Sequence, residues 1–400
     1  MMLRTCRCAP LASYIDRVAA QYVEQRYSAC YRDACLFSLY RFGRWLKRRH
    51  LKPYDVDEQL IDQYLGRSSV RLHLSAPPAL RNLLRVLRDA GACPPPVVAA
   101  RGRDQVLEDD FKKYLVTERG LAVRTVEHYA EAAHAFLTAC PCDGHRDWGA
   151  LTAGDVLTFV RRRAQMWIPG HMQQLCTGLR AFLRYLRFRG ELHRDLAASV
   201  PRIAHWRLAA LPKSLSSAQV QQVLAHCNQS TAVGRRNYAV LMLLARLGLR
   251  ADEIRCLTLD DIDWGGGQLT IRGKGSGPQV MPLPKEVGKA LAAYLTDGRP
   301  SSTSRMVFVR LIPPHIPFAS STAVTTIAAD AMQAAGVVAP SKGAHVFRYT
   351  LATQMLRNGD SLREIGQVLR HRDEDTTRIY AKVDLTRLRT LAMSWPGGAS

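Results

Sequence analysis

The most informative segment of this chain lies between residues 345 and 383, where two motifs follow each other closely. The first reads HVFRYTLATQML (345–356) and the second reads LRHRDEDTTRIYAKV (369–383). Helix residues three positions apart share a face, so the first motif predicts a helix that presents His345 and Arg348 on one side. This segment therefore predicts a helical surface with two side chains that can carry positive charge.

A second helix is predicted between these two motifs. It begins after Ser361, because Glu364 stands three residues further on and completes a capping box. His371 follows this helix, and Tyr380 lies nine residues beyond His371. A lone His, Arg or Tyr is most often structural, so the signal is the order of these residues and not any one of them.

A third motif, GLRADEI (248–254), follows an apolar segment that is predicted to be helical. The helix should end near Gly248, since glycine is the usual residue just past a helix C-terminus. Arg250 is then predicted at the start of the next helix.

A β-hairpin is predicted next, from the strand-like segments 268–271 and 279–281. They flank the glycine-rich stretch GKGSG (273–277), which places Lys274 in the turn. A nucleotide-binding P-loop is excluded, because Gln268 stands where the motif needs its first glycine and Gly275 follows the lysine where Ser or Thr is required.

The charge balance points to a polyanionic partner. The 400 residues include 56 Lys and Arg but only 34 Asp and Glu, a formal charge of +22. Both halves of the chain share it, since residues 1–200 and 201–400 each carry +11. Nucleic acid and an anionic membrane surface are the two candidates. The content of hydrophobic residues, 47%, is ordinary for a globular protein.

A membrane protein is disfavoured. The longest apolar run, Tyr238–Ala245, is far shorter than the roughly 20 residues that span a bilayer. Charged residues interrupt the first 20 positions, so no signal-peptide core is present. The chain is therefore expected in the cytosol.

Neither a metal nor a nucleotide cofactor is predicted. The ten cysteines include no CxxC pair and no Cys/His set at zinc spacing. The close pairs Cys6/Cys8 and Cys140/Cys142 are interpreted as reduced thiols, although a metal site at either pair is the alternative.

Three regions are expected. Pro94–Pro96 ends a first helical segment, and Pro201–Pro212 brackets a stretch without periodicity that resembles a linker. The predicted division is an extra helical segment at 1–100, a helical DNA-binding domain at 101–205 and a catalytic domain at 206–400. The segment 1–100 is interpreted as a duplicated DNA-binding bundle, and a module for protomer contacts is the alternative. The fold class is mainly α with a small β-hairpin sheet (α+β).

The first two regions have a similar plan, which suggests a divergent tandem duplication. Tyr22–Arg26 resembles Tyr114–Arg119. Each is followed by a long helix, an acid-capped helix (Asp55–Leu65 and Asp155–Arg163) and an arginine-rich helix. The alternative is that any two helical bundles look alike at this level.

Several arginines are candidates for contact with DNA phosphates. Some follow a helical spacing of four and three at the end of the second region, and others lie in the window 195–252, which has no acidic residue between its ends. A solvated helix face is the alternative for the first group. The candidates are Arg180, Arg184, Arg187, Arg207, Arg235 and Arg236.

Taken in order, the motif residues resemble those of the tyrosine recombinases, the family of phage integrases and bacterial Xer-type recombinases. The resemblance extends over about residues 105–400, and LPKSLSSAQV (211–220) is similar to the family's entry into its catalytic domain. The matching catalytic residues are Arg250, Lys274, His345, Arg348, His371 and Tyr380.

The resemblance implies a chemistry. The Tyr380 hydroxyl would attack a DNA phosphodiester and form a 3′-phosphotyrosine bond. Arg250 and Arg348 would hold the non-bridging oxygens through planar, permanently charged guanidinium groups. Lys274 would protonate the leaving 5′-oxygen as the general acid. No metal or nucleotide is needed, because the phosphotyrosine bond conserves the energy of the broken phosphodiester.

The remaining matched residues have supporting roles in the family. His345 corresponds to a base or proton-handling residue near the nucleophile, and His371 to a hydrogen-bond donor for a non-bridging oxygen. Glu253 matches an acidic position that orients Arg250. Two positions depart from the usual pattern: Arg370 replaces a common Gly, and Tyr349 a common His. Arg370 could add a phosphate contact or alter the local backbone.

The family resemblance also implies an assembly. Its members form a C-shaped clamp on double-stranded DNA and act as tetramers on two DNA sites, so a homo-tetramer, alone or with related recombinases, is expected. The segment 385–395 would pack on a neighbouring protomer or within its own chain. The favoured activity is mobile-element integration or transposition. Alternatives are a type IB topoisomerase-like enzyme and a DNA-binding regulator that does not cleave.

Overall fold

The structure of the chain is a computed structural model that describes residues 11–66, 75–95, 102–139, 148–203, 214–273, 277–339, 341, 343–371, 376–377 and 379–380. Within these ranges it contains fifteen α-helices and one antiparallel sheet of three short strands. The predicted fold class, mainly α with a small hairpin sheet, is confirmed.

The first group of helices has its own apolar core, which includes Leu39 and Phe42. Its third helix begins later than predicted. Asp55 forms a separate 3₁₀ turn by accepting the Lys52 amide at 2.7 Å, and Asp57 caps the helix instead. The helices are α1 (Ala12–Glu24), α2 (Ala29–Arg48), α3 (Glu58–Leu65) and α4 (Ala76–Asp89).

The second group encloses a separate core around Phe136 and Phe182. Its third helix starts two residues earlier than predicted, because Thr152 is the N-cap and accepts the Asp155 amide while the Asp155 carboxylate accepts the Thr152 amide. The helices are α5 (Arg103–Thr117), α6 (Val123–Ala139), α7 (Ala153–Ala164) and α8 (Pro169–Phe188).

The third group combines helices with the sheet. In the sheet β2 pairs with both neighbours, and Leu269 lies opposite both Ile262 and Met281. The predicted hairpin is confirmed as β2 and β3, whereas β1 has only two residues and was too short for its pattern to be detected. The elements are α9 (Ser217–His226), α10 (Ala232–Leu247), α11 (Ala251–Arg255), β1 (Ile262–Asp263), β2 (Gln268–Ile271), β3 (Gln279–Pro282), α12 (Lys285–Asp297), α13 (Thr322–Ala334), α14 (His345–Arg357) and α15 (Leu362–Val368).

Helix α10 is the centre of this third core. After its first two turns every residue except Arg246 is buried, since residues 239–245 and Leu247 are at most 7% exposed. Helix α12 packs beside it, and α14 contributes Val346 and Phe347 to the same core. Both α10 and α14 are therefore held rigidly, and the candidate catalytic residues lie at their ends.

By its packing the chain divides into two compact units, Pro96–Ala209 and the remainder formed by Met1–Pro95 with Ala210–Ser400. The three-region division at residues 100 and 205 stays a prediction. Most of the proposed linker, the cysteine pairs Cys6/Cys8 and Cys140/Cys142, and the segment 385–395 lie outside the described residues. Among the helices that are described, none is both long enough and apolar enough to cross a bilayer.

Candidate active site

Arg250 is placed by the sharp end of α10. Gly248 follows that helix with φ +58°, a left-handed conformation that glycine adopts without strain. A Cβ at this position would lie 2.8 Å from the Leu369 side chain, so any other residue would force that side chain to shift. The chain then starts α11 with Arg250 as its N-cap residue, as the sequence predicted.

Glu253 holds Arg250 in one orientation. One carboxylate oxygen accepts the Arg250 backbone amide at 2.8 Å, and the other accepts its guanidinium at 2.7 Å. The Arg250 side chain remains 39% exposed, whereas that of Glu253 is 4% exposed. Arg250 is therefore oriented by a buried carboxylate while part of its guanidinium remains available to a ligand.

Arg348, on the first turn of α14, joins three separate segments. It is 4% exposed and donates hydrogen bonds to the carbonyl oxygens of Gly248, at 2.5 Å, and Leu369. Burial, together with the neighbouring Arg250, lowers the pKa of Arg348 to about 10. The guanidinium therefore remains charged at neutral pH and ties the ends of α10 and α15 to α14.

Arg370 stands at a position where the family usually has glycine, and the structure shows how the arginine is accommodated there. Its backbone has φ +56°, a left-handed conformation that glycine adopts more easily than arginine. Its side chain, only 7% exposed, forms an ion pair with Glu253 at 3.0 Å. Burial raises the pKa of Glu253, but Arg370 and then Arg250 outweigh that effect and hold the pKa below its usual value. Arg370 therefore keeps a backbone conformation that suits glycine while its guanidinium pairs with Glu253, and a contact with a DNA phosphate stays a prediction.

Tyr380 lies between two aromatic rings. Its ring is parallel to that of His371 at a centroid distance of 6.3 Å and meets Tyr349 edge-on at 6.1 Å. The Tyr380 residue is 1% exposed. Burial raises the pKa of its hydroxyl to about 12, although Arg348 acts in the opposite direction.

The two histidines are held neutral. Burial, with Arg348 and then Arg250, lowers the pKa of His371 to about 4, and Nδ1 of His371 lies 2.7 Å from the Thr377 hydroxyl. The same causes lower the pKa of His345, whose ring stacks on Tyr349 at 6.3 Å. Both imidazoles are therefore uncharged at neutral pH.

Five of the six predicted catalytic residues are thus brought into one cluster, although 130 positions separate the first from the last. Lys274 lies outside the described residues, between Gly273 and Gly277. Sequence reasoning missed the Thr377 contact and the Arg370–Glu253 ion pair. The arginine at a usual glycine position was a signal for the ion pair, but nothing in the sequence indicated that Thr377 faces His371.

Helix α8 carries three of the arginines predicted to contact DNA. Arg180 donates to the carbonyl oxygen of Pro201 at 2.8 Å, and Arg184 and Arg187 are exposed. Arg187 also lies 3.4 Å from Asp195. Arg180 and Arg184 line a cavity of 680 Å³. This surface is basic, and Arg184 and Arg187 extend into solvent from it.

Arg235 and Arg236 lie at the start of α10 and make internal contacts. Arg235 donates to the carbonyl oxygens of Gln229 at 2.8 Å and Asp297 at 3.0 Å. The Arg236 guanidinium lies 5.7 Å from the centre of the Phe318 ring. Contact with DNA by either residue stays a prediction, and Arg207 lies outside the described residues.

Comparison with known proteins identifies the family. The sequence profile of the phage integrase family matches residues 213–387. A protein of Sinorhizobium fredii named integrase/recombinase y4rA is 37% identical over 392 residues, which cover 98% of this chain and 96% of that protein. The chain belongs to the phage integrase family. The resemblance to tyrosine recombinases seen in the motifs is therefore confirmed.

Solved structures share the fold of this recombinase. One is the XerH site-specific recombinase bound to its palindromic difH substrate after cleavage, with a TM-score of 0.56, 16% identity, and coverage of 73% of this chain and 89% of that one. Another is a lambda integrase tetramer bound to a Holliday junction, with a TM-score of 0.52, 14% identity, and coverage of 74% and 88%. At these identities the likeness concerns the fold.

Proposed function

We propose that this recombinase breaks and rejoins double-stranded DNA at specific sites through a covalent bond between Tyr380 and a 3′-phosphate. One observation carries the proposal: a buried tyrosine lies against a neutral histidine and within the field of two arginines that the fold holds in place. The Tyr380 oxygen would attack phosphorus, a new P–O bond would form, and the bond to the 5′-oxygen would break.

The two arginines would stabilise the transition state. Attack on the phosphodiester concentrates negative charge on the non-bridging oxygens, and a guanidinium can donate two parallel hydrogen bonds to such a group. Arg250 is oriented by Glu253, and Arg348 by two backbone carbonyls. Loss of one such preorganised donor typically costs about 10²–10³ in rate.

Proton transfer would use the histidines and the hairpin lysine. With its pKa raised to about 12, the Tyr380 hydroxyl is protonated at neutral pH and needs an acceptor as it attacks. His345 is neutral and can take that role. Lys274 would give a proton to the leaving 5′-oxygen. The reverse reaction, in which a 5′-hydroxyl attacks the phosphotyrosine, restores the DNA and frees the tyrosine.

Attack also requires a change of conformation. Because Tyr380 is 1% exposed, a DNA phosphate can reach its hydroxyl only after the surrounding segment moves. Binding of DNA or of a second protomer would supply that movement, which would keep the nucleophile inactive until the complex has assembled.

The proposed partner is double-stranded DNA, bound by a homo-tetramer on two sites, alone or with related recombinases. The charge of +22 favours such a partner, and the lambda integrase structure shows a tetramer on a Holliday junction. We further propose three regions (1–100, 101–205 and 206–400), a location in the bacterial cytosol or nucleoid, and a role in mobile-element integration or transposition. Synapsis of two sites separates this activity from that of a type IB topoisomerase-like enzyme.

Trapping the covalent intermediate in bacterial cells tests the proposal. Cells that express the protein are lysed in hot detergent, and the DNA that remains attached to the protein is sequenced. We expect the wild type to carry DNA ends from a small set of sites, and the Tyr380→Phe variant to bind duplex DNA normally but carry none. Absence of an adduct with the wild type would favour the DNA-binding regulator.

A further inference from the structure

The helix that ends the first bundle and the helix that ends the second have similar sequences. Residues 79–91 read ALRNLLRVLRDAG, and residues 178–190 read GLRAFLRYLRFRG. Seven of the 13 aligned positions are identical, namely three leucines, three arginines and the final glycine. Both glycines adopt a left-handed conformation, with φ +65° at Gly91 and +77° at Gly190.

The two bundles also share an order of elements. Each consists of two helices, a 3₁₀ turn and two more helices. The turns, Pro53–Asp55 and Trp148–Ala150, stand at the same distance before the third helix. The N-caps, Asp57 and Thr152, then occupy matching positions. The N-caps and the fourth helices can each be aligned between the two bundles. The residue offsets of these two alignments differ by only four positions.

Corresponding side chains make the same contact in the two cores. Phe42 of α2 meets Tyr64 of α3 edge-on, with a centroid distance of 5.0 Å and an interplanar angle of 67°. Phe136 of α6 meets Phe159 of α7 at 5.1 Å and 82°. Because sequence, element order and core packing agree, we infer that residues 11–95 are a structural repeat of the bundle that contains α8.

The repeat reproduces the basic face of α8. Arg81, Arg85 and Arg88 match Arg180, Arg184 and Arg187, and the spacing of four and three places each set along one side of its helix. Arg81 and Arg85 are exposed. Arg85 donates to the side chains of Gln21 and Asn82, which are uncharged and leave its positive charge intact.

The third arginine differs between the repeats. Arg88 forms a bidentate pair with Glu58 at 2.6 and 2.7 Å, and the matching position in the second bundle is Ala153. The basic face of the first bundle therefore depends on Arg81 and Arg85. The first 95 residues have 16 Lys and Arg against 8 Asp and Glu, so the bundle as a whole suits a polyanion.

On this basis we propose that the α4 face, defined by Arg81 and Arg85, binds the phosphates of a second stretch of double-stranded DNA. The proposal rests on the proposed function only in that the protein acts on DNA. Each protomer would then grip duplex DNA with two copies of one helical module. The competing occupant of this face is a neighbouring protomer.

The salt dependence of binding tests this proposal. Full-length Tyr380→Phe protein, which cannot cleave, is titrated onto a long duplex of arbitrary sequence at several salt concentrations. Replacing both arginines (Arg81→Gln with Arg85→Gln) should reduce the steepness of log Kd against log[salt] by about 1.8, because each lost phosphate contact removes about 0.9. The matched control replaces two exposed cations at the same helical spacing on α12 (Lys285→Gln with Lys289→Gln), and it should leave the slope unchanged.

Two outcomes would overturn the proposal: an unchanged slope in the arginine variant, or an equal loss in the control, which would trace the effect to net charge. If the arginine variant keeps the wild-type slope of log Kd against log[salt] but has a lower molecular mass by sedimentation, the face would be assigned to protomer contacts instead. Thermal unfolding of both variants checks that the bundle is intact. Covalent trapping is a separate measurement, so failure of the proposed chemistry and failure of the second DNA contact can be distinguished.

Discussion

At the scale of single residues, the site depends on how charges are balanced around Glu253. The Glu253 carboxylate lies between Arg250 and Arg370. Arg348 is close enough to the site to lower the pKa of His371. Three guanidinium groups and one carboxylate give the pocket a positive charge, which suits an incoming phosphate. The arrangement needs Arg370 to adopt a backbone conformation that arginine disfavours, so the ion pair offsets a local strain.

Replacing Arg370 by glycine separates these two effects. Arg370→Gly relieves the left-handed backbone, worth roughly 1 kcal/mol, but leaves Glu253 with one partner and Arg250 less firmly oriented. We expect single-turnover cleavage to slow about tenfold, equivalent to about 1.4 kcal/mol, with little change in the affinity for DNA. Rapid-quench measurement of adduct formation checks this. Arg370→Lys, which keeps the charge, should recover part of the rate, and a wild-type rate in Arg370→Gly would contradict the role.

His371 should make the protein sensitive to acid. In the unfolded chain a histidine binds a proton near pH 6.5, but in the folded protein the pKa of His371 is about 4. Between these values the unfolded state binds more protons, so the free energy of unfolding falls as the pH falls from about 6.5 towards 4. Urea unfolding at several pH values measures this. His371→Asn should flatten the dependence, and an unchanged slope in that variant would disprove the assignment.

At the scale of elements, the turn between α10 and α11 connects the core to the site. Gly248 gives the chain its left-handed turn, and its carbonyl oxygen accepts a hydrogen bond from Arg348. Leu249 alone separates Gly248 from Arg250, the N-cap residue of α11. One turn therefore positions both arginines, which explains why the GLR motif is informative in the sequence.

A methyl group at this turn should disrupt the site. Gly248→Ala adds backbone strain of about 1–2 kcal/mol and a Cβ that would lie 2.8 Å from Leu369, so overpacking of about 1–3 kcal/mol is added. Gly336 is a matched control, because its φ is +67° and a Cβ there would meet nothing within 4 Å. Thermal unfolding should show a larger loss of stability for Gly248→Ala than for Gly336→Ala. Equal losses would mean that the close packing is unimportant.

At the scale of the whole molecule, positive charge is spread over every region and not confined to a tail. Two similar helical bundles precede a catalytic region whose site is built from α10, α11, α14, α15 and the residues that follow them. A charge of this kind suits contact with many DNA phosphates, so the electrostatic part of the affinity for DNA should be large.

Binding to duplex DNA should therefore weaken steeply with salt. If six to ten phosphates are contacted, the affinity of the wild type should fall by about 10³–10⁵ between 50 and 200 mM salt. Fluorescence anisotropy with a labelled duplex measures this. An affinity that stays constant over the range would show that the charge of +22 is not used for DNA binding.

Local patterns in the chain were sufficient for most helices, the hairpin and the family, because periodicity, capping and motif spacing act over a few positions. They also nominated the ordered set of candidate catalytic residues, five of which the fold brings together. Contacts between distant segments could not be foreseen: Glu253 pairs with Arg370, Arg348 binds the carbonyl of Gly248, and Tyr380 is buried beside His371. Even the starts of α3 and α7 depended on which of two nearby polar side chains captured the backbone amide. These features arise from packing in three dimensions, where burial changes the charge state and orientation of groups that a linear pattern leaves open.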